Sequence, residues 1–90
     1  MFTVTIDHSD NNTGEKFYTH REYYELFDAQ TVAEIECKTL LRREHAIQIS
    51  CLETQYDYAV GDKMGDNLYE IYVVDNSTGA KMPLRKVASA

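Results

Sequence analysis

Hydrophobic and polar positions repeat with two different periods along the chain, and the switches between them mark out its elements. Phe2, Val4 and Ile6 alternate with Thr3 and Thr5, the period of a half-buried strand. Residues 7–14 are Asp, His, Ser, Asp, Asn, Asn, Thr and Gly, most of which bond to nearby backbone, and they predict a turn segment. Lys16, Phe17, Tyr18 and Thr19 then read as the second strand of a hairpin, which the aromatic content carries to about Leu26. Thr19 and Glu22 also match a capping box, with Tyr23, Leu26 and Phe27 at helical spacing, so a helical reading of residues 19–27 stays open. Beyond them the period changes to that of a helix. Ala29, Val32, Ala33, Glu36, Cys37, Leu40 and Leu41 recur at helical spacing, and Asp28 is a suitable N-cap. Glu34 and Glu36 come before Lys38, Arg42 and Arg43, the order that suits the helix dipole. About 15 residues of helix are marginal alone, so this one must pack on a sheet.

Alternation returns over residues 46–52, where Ile47, Ile49 and Cys51 oppose Gln48 and Ser50. Tyr56, Tyr58 and Val60 share one face of a short strand, residues 61–67 form a glycine-containing loop, and residues 68–74 are the most β-like stretch. Residues 75–79 form another turn, and Pro83 confines the last stretch to an edge or a tail. The order β-β-α-β-β-β predicts an α+β fold. It is a two-layer sandwich in which an antiparallel sheet of four to six strands carries one main helix on one face. Val32, Leu40, Ile47, Ile49, Ile71 and Val73 are its expected core.

Ninety residues suit a single domain, 1–90, since two would each be too small to build a core. No apolar run approaches the roughly 18 residues of a membrane helix, and the first ten residues lack a signal peptide's basic flank and apolar stretch. Two cysteines are too few for a disulfide scaffold, so Cys37 and Cys51 are expected as small apolar residues in a reducing cytosol. Charge alters the picture most: 15 acids against 9 bases give a net charge of −6. All 15 acids lie in residues 1–80 with only six bases, while the last ten residues hold Lys81, Arg85, Lys86 and no acid. A body this negative repels phosphate, which disfavours direct nucleic-acid binding.

Candidate chemistry is sparse. His8, His20 and His45 have no Cys or His at metal-ligand spacing, and there is no Cys-x-x-Cys pair, so no metal site is expected. Residues 7–12 offer oxygen ligands without the glycine and glutamate of a calcium loop. A nucleophile elbow and a phosphate-cradling glycine loop are both lacking. His45 and Cys51 are too far apart along a strand, about 20 Å, to act as a pair. The expectation is a protein without catalytic activity or cofactor.

The seven tyrosines are more suggestive, because tyrosine joins large apolar area to a hydrogen-bonding tip and is enriched at interfaces. Several sit among acids, as in Glu22-Tyr23-Tyr24-Glu25 and Tyr56-Asp57-Tyr58, although some must simply cover the sheet. From Glu53 to Asp75 six acids face the single base Lys63. This segment makes Glu53, Asp57, Asp62, Asp66, Glu70 and Asp75 the candidate partner-binding acids, with Tyr56, Tyr58 and Tyr69 as anchors. Glu15, Glu22 and Glu25 are the alternative face.

The N-terminal strand, the turn ending Thr13-Gly14-Glu15-Lys16-Phe17, and Phe27-Asp28-Ala29-Gln30-Thr31 opening a helix before several strands together resemble small phage-encoded type I anti-CRISPR proteins. That resemblance, in layout and acidity, implies a stoichiometric inhibitor in the host cytosol, a monomer or homodimer. Acting as a DNA mimic, it would bind the basic surface of a CRISPR effector complex and block nucleic-acid recognition. An antitoxin or immunity protein neutralising a basic nuclease fits the same acidity, and a phage structural accessory protein is a further reading.

Overall fold

In the computed structural model the structure describes residues 1–43, 50–53, 56–61 and 65–86. The chain folds as β1 (Phe2–Asp10), β2 (Glu15–Tyr23), α1 (Leu26–Arg43), β3 (Ser50–Glu53), β4 (Tyr58–Gly61) and β5 (Asn67–Asp75). The strands form one antiparallel five-stranded sheet in the order β2-β1-β5-β4-β3, with α1 on one face. This is the expected α+β two-layer arrangement. The molecule is accordingly a slab, 37 × 31 × 18 Å.

The core lies where the helical and strand periods face each other. Ala29, Ala33, Cys37 and Leu40 line one side of α1, and Val4, Tyr58, Val60, Ile71 and Val73 meet them from the sheet. The small helix residues let α1 lie close to the strands, and the β-branched residues fill the space between. Phe2, Ile6, Tyr23, Leu26, Val32 and Leu41 pack around this centre. Val32 is therefore a half-buried border residue rather than one of the central ones. Ile47 and Ile49 lie outside the described residues.

Element boundaries differ from the expected ones in three places, each for a tertiary reason. β1 runs through Asp7, His8 and Ser9 to Asp10, which shortens the turn to Asn11–Gly14. Being paired with β2 on one side and β5 on the other, β1 gains two ladders of backbone bonds, which outweigh the turn preference of its polar side chains. Gly14, at φ 75°, closes the turn, and its amide donates to the Asp10 carbonyl at 2.8 Å. β2 stops at Tyr23, because Leu26 already belongs to a helix that packs it on the core. Asp28 is consequently not the N-cap. The Ala29 amide donates to the Glu25 carbonyl, and Asp28 lies within the first turn, where its charge still suits the dipole.

After β5 the chain turns at Asp75, which accepts from the Ser77 amide and hydroxyl at 2.9 and 2.7 Å. Residues 80–82 then return along β5 where β4 no longer covers it: Asp75 N donates to Ala80 O, and Met82 N to Val73 O. Only Lys81 bridges the sheet there, so the possible sixth strand is a single residue leading into a tail that contains Pro83.

Candidate functional site

Among the described residues the acids between Glu53 and Asp75 are divided, although Asp57 and Glu70 both act on Lys81. Glu53 ends β3 opposite Tyr58, Asp62 lies outside the described residues, and Asp66 precedes β5. Asp57 forms an ion pair with Lys81 at 2.6 Å, and Lys81 also lies 4.5 Å from the centre of the Tyr72 ring. The Asp57 carboxylate holds the Lys81 ammonium above its ordinary pKa. Asp75 is occupied by the turn, and its bonds from Ser77 hold its carboxyl below the usual range.

The expected anchors separate as well. Tyr58 has 0% exposure and donates its hydroxyl proton to the Arg85 carbonyl. It is a core residue and cannot serve as a surface anchor, because its strand alternates with Ala59 and turns the ring beneath α1. Tyr69 stacks on His8 at 4.2 Å, half-buried on the helix-bearing side of the sheet. Tyr56 is 40% exposed. Glu70 is exposed on the opposite face, directly across from Asp7. The Tyr72 hydroxyl donates to Asp7 Oδ2 at 3.3 Å, while Asp7 Oδ1 is buried without a hydrogen-bond partner. Burial first, and then the Asp7 charge, push the Tyr72 phenol upward.

The C-terminal basic residues largely answer acids of the body. Arg85 reaches α1, where it meets Glu34 Oε2 at 3.4 Å, donates to Thr31 Oγ1 at 2.9 Å and to the Phe27 carbonyl at 3.3 Å, and lies 4.5 Å from the Phe27 ring centre. Gln30 fixes the same tail through the Pro83 carbonyl at 2.8 Å. Glu34 is shared with Lys38, at 3.4 Å.

The junction between β2 and α1 is the most exposed aromatic site among the described residues. Tyr24 is 82% exposed and Phe27 68%, the two most exposed large hydrophobic residues described. They alternate with Glu25 and Asp28, both exposed, so aromatic rings and carboxylates share one corner. The junction turns outward because Leu26 and Ala29 take the inward positions of the first helical turn. The signal for this corner was present as tyrosine interleaved with glutamate, but only the strand-to-helix boundary at residues 24–25 determines which rings face outward.

Beside it, Val4, Ile6, Thr19, Arg21, Val32 and Glu36 line a cleft of about 140 Å³ where α1 incompletely covers β2. Among the described residues, no three His, Cys, Asp or Glu side chains are grouped to hold a metal ion, and no helix is long and apolar enough to cross a membrane. Comparison with known proteins finds no match among protein-family models, curated proteins or solved structures.

Proposed function

We propose that this chain is a non-catalytic binding protein that meets a basic protein surface with the β2–α1 junction. The observation that carries the reading is the exposure of Tyr24 and Phe27 beside Glu25 and Asp28. Exposed rings offer apolar contact and a face for Lys or Arg, and the neighbouring carboxylates offer charge. Arg85 illustrates the chemistry within the molecule, since a guanidinium rests on the Phe27 ring while Glu34 supplies the counter-charge. The junction replaces the Glu53–Asp75 segment as the favoured contact, because Tyr58 is buried, Asp57 is paired and Asp75 holds a turn.

The resemblance to type I anti-CRISPR proteins makes the partner a CRISPR effector complex, bound where its Lys and Arg residues hold nucleic-acid backbone. The chain is then a phage-encoded inhibitor in the host cytosol. The test is competition: purified type I effector complex, labelled target DNA and increasing amounts of the chain. Stoichiometric loss of DNA binding is the expected result. Full DNA binding at excess chain and low salt would overturn this choice of partner.

A further inference from the structure

β2 is the outer strand of the sheet, nine residues long and exposed along its length except at Tyr23. The opposite edge, β3, has four described residues. Which backbone groups of β2 point off the sheet follows from the far side of the molecule. Met82 N donates to Val73 O and Asp75 N to Ala80 O, so the odd-numbered residues of β5 turn their polar groups away from β1. These groups alternate along a strand, so the even-numbered residues of β5 bond β1. The registers Thr5↔Tyr72 and Ile6↔Thr19 carry the alternation across β1 into β2. Odd-numbered residues of β2 bond β1, which leaves the N–H and C=O of Lys16, Tyr18, His20 and Glu22 pointing outward. The edge carries no proline, and its register with β1 runs unbroken from Glu15 to Tyr23, so it lacks the bulge or proline that blunts many sheet edges.

We propose that two copies of the chain pair through β2, antiparallel, about a twofold axis at Thr19, joining their five-stranded sheets into one. Only this register uses all nine residues of both strands. It sets Lys16 of each copy opposite Glu22 of the other, Phe17 opposite Arg21, and Tyr18 opposite His20. Members of each pair share a face of the sheet, because Lys16, Tyr18, His20 and Glu22 lie on the open side, and Phe17, Thr19 and Arg21 on the side bearing α1. The pairs join opposite charges, a cation with a ring, and two rings, each a favourable cross-strand combination. Tyr18 and His20 already stack within one chain, with centroids 6.5 Å apart, and the pairing extends that row. Sliding the register by two residues in one direction sets Lys16 against His20. Sliding it in the other leaves Lys16 without Glu22. The strand also holds two acids, Glu15 and Glu22, and two bases, Lys16 and Arg21, so this edge is balanced in a chain of net charge −6. The β2–α1 junction lies at the end of the paired strand and does not depend on it.

Sedimentation equilibrium of the full chain tests the pairing. The parent should dimerise with a micromolar dissociation constant. Glu22→Lys and Lys16→Glu should each weaken it about tenfold, since each replaces two attractive pairs with two repulsive ones. An equimolar mixture of the two variants should recover parental affinity, because every Lys then meets a Glu. Should either variant unfold by circular dichroism, Tyr18→Pro removes an outward N–H and the exposed ring, keeps every backbone bond to β1, and should yield a folded monomer. A monomeric parent, or a dimer indifferent to these changes, would overturn the proposal, and failure of the mixture to recover would overturn the Thr19-centred register.

Discussion

Tyr58 joins the sheet, the helix layer and the C-terminal tail through a single side chain. Its ring has 0% exposure beside Val60 and Ile71, and its hydroxyl reaches the Arg85 carbonyl. Tyr58→Phe keeps the ring and loses the bond, which should cost about 1 kcal/mol, whereas Tyr58→Ala leaves a cavity and should cost about 3–5 kcal/mol. Equal losses for the two variants in urea denaturation would show that the ring contributes nothing. Two other residues predict how stability depends on pH. The Tyr72 phenol is raised by burial and by Asp7, and the Lys81 ammonium is raised chiefly by its bond to Asp57. For both, the folded chain holds the proton more tightly than the unfolded chain. Their contribution is therefore fully present below the unfolded pKa values, near 10, and is lost as pH rises through the folded ones. The denaturation midpoint should hold between about pH 8 and 9.5 and fall beyond about pH 10, less steeply in Tyr72→Phe. An identical alkaline decline in parent and Tyr72→Phe would remove Tyr72 from this account.

At the scale of elements, α1 is what makes the sheet two-sided in composition. Leu40 is 6% exposed against the strands, while Ile35 is 52% exposed on the far side. Leu40→Ala should cost about 2–5 kcal/mol, and Ile35→Ala should stay within about 0.5 kcal/mol. A loss below about 0.5 kcal/mol at Leu40 would mean that the helix does not seat there. This asymmetry was legible in the sequence, since the spacing of Ala29, Ala33, Cys37 and Leu40 has no strand interpretation. The alternation of Ile71 and Val73 likewise identified a half-buried strand. Polar stretches whose state depends on neighbours were less legible. Asp7, His8 and Ser9 prefer turns by themselves and become strand because β1 lies between β2 and β5. Tyr58 read as an anchor because alternation shows that residues share a face without showing which face α1 will cover. The reach of Arg85 back to Glu34 and Phe27 spans more than fifty positions, a distance over which local patterning carries no information.

Across the whole molecule, the net charge of −6 is a poor guide to the contact surface, because folding pairs part of it internally. Lys81 meets Asp57, and Arg85 meets Glu34, so the basic end of the chain offsets acids of its own body. The segment with the most acids is thereby weakened as a docking surface, and the junction, with its two exposed acids, gains in relative charge. If Tyr24, Glu25 and Asp28 meet a basic partner, the association has two separable parts. Carboxylate attraction is screened over about 8 Å at physiological ionic strength, whereas ring contact is not. Raising salt should weaken binding of the parent chain to a partner's basic surface without abolishing it. Glu25→Gln with Asp28→Asn should remove most of the salt dependence and slow association, as expected for charges at a rim. Neutral amides at both positions avoid placing a positive charge at the helix start, where it would cost stability. Tyr24→Ala should instead speed dissociation and leave the salt slope nearly unchanged. Glu70→Lys, on the opposite face of the slab, provides the comparison: the same change of two charge units, with little change in either rate. Kinetic measurements at two salt concentrations distinguish these outcomes. A Glu70→Lys effect as large as that of the junction variants would show that the partner responds to total charge and not to this surface.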